Sequence, residues 1–167
     1  MSIRLFYDRW PPYNHRLAEV VGAMTDEQLA IRPASKRWPI CATVGHTVGA
    51  RVYWLCGFFG APGAETTPWP DPINDLGWED DLDHPRSPAE LVAAIDSTWA
   101  IVDGCLDRRT PEMLGETVVR VYGDQPQVYS RSSVLQRMLT HDAYHCGEPS
   151  ETLGIAGLPQ IDLGRPD

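Results

Sequence analysis

Apolar residues recur at helical spacing in four stretches of the chain, and this pattern predicts four long helices. The first stretch covers residues 12–24. The second covers residues 38–59 and is apolar around most of its circumference, as a buried helix is. The third covers residues 87–106 and opens with a capping box. The fourth begins near residues 132–133, and Pro149 is expected to disrupt or end it.

Two segments between these helices have different patterns. Residues 60–86 are rich in proline and acidic residues, and Trp69 and Trp78 suggest that this connection packs over the open end of the helices. Residues 117–129 carry β-branched side chains on both sides of Gly123-Asp124, which allows a small hairpin. The pattern as a whole predicts an all-α fold, a four-helix bundle with a long loop between its second and third helices.

The length and charge of the chain narrow its organisation and its partners. At 167 residues it is expected to form one domain, residues 1–167. Its net charge of −9 argues against nucleic acid and anionic membranes, so we expect a small-molecule substrate. No apolar run approaches the ~20 residues of a membrane span, and the first residues resemble no targeting segment, which predicts a cytoplasmic protein. The four cysteines form no CxxC pair and are interpreted as reduced thiols.

Three histidines fall where their side chains can converge. His141 and His145 stand four residues apart, so they lie about 40° apart on the apolar face of the fourth helix. His46 has small neighbours on its own helix face, which leave space beside the imidazole. Two imidazoles at this spacing chelate a divalent ion when another element supplies a third ligand, for which His46 is suited. The alternative is hydrogen-bonded core histidines, whereas His15 and His84 are expected to be solvated.

Two acidic residues near the histidine pair are candidates for supporting roles. If the fourth helix persists, Glu148 returns to nearly the same face as His141, seven residues earlier. It is then a fourth ligand, a general base or a partner that orients an imidazole, or else a capping or solvated residue. Asp142 is a candidate acceptor for the second N–H of a ligand imidazole, with an exposed helix acid or an interface contact as the alternatives. Glu148 is the one candidate catalytic group.

The ordered set of these features resembles the DinB/YfiT-like superfamily of metalloenzymes over nearly the whole chain. Residues 14–54 are similar to the family's first helix, its L-x-x-RP turn, its Trp and the histidine of its second helix. Residues 87–107 resemble its third helix, and residues 132–159 resemble its last helix with an HxxxH-x-G pattern. The chain departs from the family at Pro39, where Ser or Thr is common, and at Glu148, where Gln is common.

The resemblance implies a four-helix bundle with a three-histidine metal site. Carried over position by position, it assigns His46, His141 and His145 as ligands of a divalent ion, with zinc and nickel as the foremost candidates. Characterised members of the superfamily include thiol-dependent transferases and isomerases. The resemblance therefore also implies a low-molecular-weight thiol as a second cofactor.

Two hypotheses of function follow. The first is a metal-dependent enzyme, a thiol-dependent S-transferase or isomerase or else a hydrolase, whose small-molecule substrate lies under residues 60–86 and beside Tyr53. The alternative is a non-catalytic, stress-related protein that binds a metal or a small ligand. Such a protein is expected to form a homodimer through an apolar helix face.

Overall fold

The protein is mostly helical, with one small antiparallel hairpin. The computed structural model describes residues 2–162, except the side chain of Tyr122, so both ends of the predicted domain 1–167 lie outside the described residues. The helices are α1 (Trp10–Gly22), the short α2 (Asp26–Leu29), α3 (Ile40–Val52), α4 (Pro88–Arg108) and α5 (Arg131–Ile155), and the strands are β1 (Thr117–Tyr122) and β2 (Gln125–Ser130). The hairpin prediction is confirmed, and the all-α expectation is corrected to this mostly helical fold.

The ends of the long helices follow local chemistry, with one exception. At the start of α4, Ser87 and Glu90 form the predicted capping box. α5 begins slightly earlier than predicted, because the Ser130 side chain accepts a hydrogen bond from the Ser133 N–H. The prediction that Pro149 disrupts or ends this helix is wrong: Pro149 lies inside α5 and is buried. Packing of the last turns on the core outweighs the one helical hydrogen bond that proline cannot make.

The end of α3 is wound more loosely than the rest of the helix. Residues Tyr53–Phe58 form a π-helical turn that continues directly from α3 and buries Trp54 and Leu55. Gly60 then closes this turn with a positive φ of 62°, a conformation that glycine adopts without strain. Single π-helical turns of this kind occur often at functional sites, and this one lies beside the candidate site described below.

The core lies where the long helices meet. α3 packs against both α4 and α5, and α1 packs against α4. Each helix contributes fully buried apolar side chains at its contact face, among them Leu17, Val48, Ile95 and Met138. Within residues 2–162 no helix combines the length and the apolar character that a membrane crossing requires.

The long connection between α3 and α4 folds back onto α3 through two tryptophans. Trp69 lies against Gly49, and Trp78 lies against Gly45 so closely that a Cβ at Gly45 would come within 2.8 Å of it. Trp69 is 4% exposed, so its docking removes a large apolar surface from water. The small residues beside His46 are interpreted from the sequence as space for a ligand. The structure shows that the long connection also packs against them.

A buried ion pair joins the helices at the centre of the protein. Asp142 of α5 accepts hydrogen bonds from Arg51 of α3, at 2.7 Å from Nη2 and 3.1 Å from Nε, and from Trp10 of α1 at 2.8 Å. The Arg51 guanidinium also donates to Asn14 of α1 at 2.8 Å. The Arg51 side chain is 1% exposed and that of Asp142 9%. Every charge in this cluster therefore has partners, as burial of a charge requires.

Removal of one partner is expected to destabilise the fold strongly. Asp142→Ala leaves the Arg51 charge buried without its carboxylate, which costs about 3–5 kcal/mol of unfolding free energy. The matched control is Asp96→Ala, an exposed acid of α4, which is expected to change that free energy by less than about 0.5 kcal/mol. Urea unfolding followed by tryptophan fluorescence measures both. Equal unfolding midpoints for Asp142→Ala and wild type would contradict the role given to the pair.

Candidate metal centre

Three imidazoles from two helices meet at one point. His141 and His145 lie one turn apart on α5 and face His46 of α3, with ring centroids 4.4–4.9 Å apart in each pair. The Nε2 atoms of His46 and His141 are 3.2 Å apart. One nitrogen from each ring lies within 4.8 Å of the other two. The structure thus brings together the three residues that sequence spacing and family resemblance selected.

Carboxylates contact the outer nitrogens of two of these rings. Glu79 Oε1 lies 2.5 Å from Nδ1 of His46, and Glu148 Oε2 lies 2.7 Å from Nδ1 of His145. A carboxylate accepts a hydrogen bond, so each contact places the ring proton on Nδ1. The Nε2 lone pair of each ring is then directed away from the carboxylate. Metal-ligating histidines in proteins are commonly held in this way.

Glu148 therefore has one of the roles that the sequence left open. It binds the outer nitrogen of His145, as a partner that orients the imidazole. It can do so because α5 runs through Pro149, so that Glu148 stays helical, three residues after His145. The arrangement gives no support to Glu148 as a fourth ligand, because its carboxylate is bound to Nδ1 of His145 and lines a neighbouring cavity.

Asp142 has the third of the roles considered from the sequence, an interface contact, here between helices. It is neither an exposed helix acid nor an acceptor for a ligand imidazole, since its carboxylate is bound by Arg51 of α3 and Trp10 of α1. His15 and His84 are exposed, with side chains 72% and 71% accessible, which confirms the expectation that both are solvated.

Glu79 is the residue of this site that sequence reasoning missed. It lies in the acidic run "WEDDLD", where the sequence gives no reason to prefer one carboxylate over another as the partner of a histidine. Docking of the neighbouring Trp78 on Gly45 of α3 brings Glu79, and no other acid of that run, to His46. The only signal in the sequence was the proximity of an acid to a tryptophan that has to pack on a helix.

The electrostatics of the site favour a neutral imidazole at His141. Burial lowers the pKa of His141 to about 3, and the nearby charges of His145, His46 and Arg137 act in the same direction. A neutral imidazole is the form that binds a metal ion. Burial is the largest single influence on Glu79 and opposes its ionisation, but the hydrogen bond with His46, a backbone hydrogen bond and the charges of His46 and His145 together hold the pKa of this carboxyl below its ordinary value. Glu79 is thus an ionised acceptor.

The cluster forms part of the wall of a cavity of about 540 Å³. Tyr53, expected from the sequence to lie beside the site, is part of this wall, and so are Trp54 and Trp69. Glu148 lies outside it and contributes to a neighbouring cavity instead. A cavity of this volume is within the range that holds a small organic molecule.

The residues present fit a divalent transition-metal ion. Two ligands bonded at 2.0–2.1 Å to a tetrahedral ion lie about 3.3 Å apart, close to the 3.2 Å between the Nε2 atoms of His46 and His141. Nδ1 of His141 is buried and has no hydrogen-bond partner among the described residues. Imidazole nitrogen suits zinc, nickel, copper and iron, so the donor set agrees with the metals expected from the sequence.

Comparison with known proteins places the chain in a family. The sequence model of the DinB superfamily matches residues 14–148. The chain belongs to the DinB superfamily. Its fold is similar to the crystal structure of a DinB-like protein from Bacillus cereus ATCC 10987, with a TM-score of 0.67, 19% identity and 96% of each chain covered. No curated protein matches the chain. The matched span includes all three histidines, and at 19% identity the structural likeness establishes the DinB-like fold alone.

Loss of either orienting carboxylate is expected to weaken metal binding. Glu79→Ala and Glu148→Ala leave one imidazole without its N–H acceptor, which lowers affinity about 10- to 100-fold, and the corresponding Gln variants lose less. Competition with a chromophoric chelator measures the affinities. Glu151→Ala, which removes an exposed acid of the same helix, is the matched control. If both Ala variants bind zinc as tightly as this control does, the carboxylates do not support the ligands.

Proposed function

We propose that this DinB protein is a metal-dependent enzyme whose divalent ion, zinc or nickel, is held by His46, His141 and His145. The observation that carries the proposal is the convergence of three imidazoles in the wall of an organic-sized cavity, with carboxylates on the outer nitrogens of two of them. Structural zinc sites are closed by four protein ligands, whereas catalytic sites have three and leave a position for water or substrate. The four longest helices are proposed to form the four-helix bundle of the family.

The chemistry proposed is transfer or isomerisation that uses a low-molecular-weight thiol, with hydrolysis as the second form. An ion at this site would lower the pKa of a bound thiol or water and polarise a substrate carbonyl. The resemblance to the superfamily supports the thiol, and family likeness alone carries that part of the proposal. The small-molecule substrate is proposed to lie in the 540 Å³ cavity, between α3, α5 and the long connection.

The side chains of the site have distinct tasks in this proposal. Glu79 and Glu148 each hold a proton on Nδ1 of a histidine, which fixes the tautomer and the direction of the ring. Trp69 and Trp54 form apolar parts of the cavity wall on which the body of a small molecule can pack. Glu148 is not placed to move a proton to or from a substrate in this cavity, because it does not line it.

Metal analysis of single histidine variants tests the site. Protein purified without a nickel column is expected to contain about one divalent ion per chain, and His46→Ala, His141→Ala and His145→Ala are expected to lose it. His84→Ala removes an exposed histidine and is expected to retain the ion. Unchanged metal content in all three site variants, measured by plasma mass spectrometry, would show that the site is wrong.

A screen of activity tests the reaction class. The metal-loaded protein is expected to consume an electrophilic substrate in the presence of a low-molecular-weight thiol, and the His46→Ala variant is expected to be inactive. Wild-type protein with and without added thiol separates transfer from hydrolysis. Metal binding without consumption of any substrate, with or without thiol, would favour the non-catalytic metal-binding alternative.

A further inference from the structure

Two arginines from different elements form a cationic wall in the same cavity. Arg120 of β1 and Arg137 of α5 both line it. The Arg137 guanidinium lies 4.9 Å from the centre of the Trp54 ring, and that of Arg120 lies 5.2 Å from the same ring and 5.4 Å from Tyr53. Stacking on aromatic rings restricts the motion of a guanidinium. Both charges are thus held beside the Trp54 ring.

The orientation of the hairpin places Arg120 on the inner face. Alternate residues of a strand face opposite sides, and Val119 and Val121 on either side of Arg120 are 56% and 66% exposed. A two-stranded sheet ordinarily turns its apolar residues inward and its charged residues to water. At this position of β1 the order is the opposite: the Arg120 guanidinium lines the cavity, and Val119 and Val121 face solvent. Core packing alone gives no reason for a charged side chain at this point of the inner face.

Arg137, one of the two arginines of the cationic wall, lies on the same helix as two of the histidines. Arg137, His141 and His145 follow one another at intervals of four residues, so they lie on one face of α5, a turn apart. No carboxylate of the described residues forms an ion pair with Arg137, whose guanidinium stacks on the Trp54 ring. A molecule that reached from the arginines to the imidazoles would span about two turns of helix, roughly 11 Å.

Carboxylates of the long connection form another wall of the cavity. Asp75, Glu79 and Asp80 of the long connection line it. Two of these carboxylates are engaged, because Glu79 binds His46 and Asp75 accepts a hydrogen bond from the Asp71 N–H at 2.7 Å. The cavity is therefore polarised, positive at the hairpin and α5 and negative at the connection. An acidic group that enters it is attracted to one wall and repelled by the other.

We infer that the cavity binds a small organic acid, a carboxylate or phosphate whose acidic group lies between Arg120 and Arg137 and whose body rests on the Tyr53–Trp54 wall. Arginine forms paired hydrogen bonds with either group. This inference names the substrate class of the proposed enzyme and in that respect rests on the proposed function. The acid-binding wall itself consists only of protein side chains and does not require the metal.

Calorimetric titration of matched probes tests the inference. Phenylacetate and phenyl phosphate are titrated into the full chain as purified and after treatment with a chelator, and phenylacetamide is the neutral control. Arg120→Gln and Arg137→Gln are each expected to raise the Kd of the acid probes about tenfold, because each removes a charged hydrogen-bond donor. Arg137→Lys keeps the positive charge but cannot form the paired hydrogen bonds of a guanidinium, and it is expected to lose less affinity than Arg137→Gln. Arg108→Gln, an exposed helix arginine, is the matched control.

The outcomes separate this inference from the metal site. Acid binding that requires both arginines, persists after chelation and is absent for phenylacetamide supports the inference, and the tighter of the two acids identifies the group. Equal affinities of wild type, Arg137→Gln and Arg120→Gln would overturn it, as would equal binding of acid and amide or no acid binding to the wild type. Metal content is measured on the same samples, so failure of the histidine site is seen independently. Unfolding midpoints show which variants are folded.

Discussion

The architecture of the site depends on the buried pair of Arg51 and Asp142. Arg51 follows His46 on α3 by five residues, and Asp142 follows His141 on α5 by one, so the pair and the histidine cluster share the same two helices. A buried charge tolerates little displacement from its partner, because separation leaves it desolvated and uncompensated. The pair, with Trp10 and Asn14 from α1, therefore restricts how α3 and α5 slide along each other. That restriction sets the distance between His46 and the two histidines of α5.

The long connection and the last turns of α5 supply the carboxylates that contact the histidines. Its tryptophans dock on Gly45 and Gly49 of α3, and this docking carries the carboxylate of Glu79 to His46. On the other side, continuation of α5 through Pro149 carries Glu148 to His145. Each carboxylate depends on a different piece of the fold, and each acts on a different imidazole. The site is thus supported from both sides by elements that lie outside the ligands themselves.

Sequence reasoning reached the parts of this arrangement that follow from regular spacing. The pairing of His141 with His145, and the choice of His46 from the small residues beside it, depend on helix periodicity alone. The choice among four acids in "WEDDLD" depends on how a loop packs, which local pattern does not encode. The end assigned to α5 at Pro149 failed because tertiary packing outweighed a local rule. The sequence did not predict the buried ion pair of Arg51, because a long charged side chain is ordinarily exposed.

The central claim is that one divalent ion is bound by imidazoles of both α3 and α5. Anomalous diffraction from a crystal of the zinc-loaded protein, recorded on both sides of the zinc absorption edge, tests it most directly. We expect an anomalous peak with nitrogen atoms of His46, His141 and His145 at about 2.0–2.1 Å. A principal peak elsewhere on the protein, or one that lacks His46 as a ligand, would contradict it.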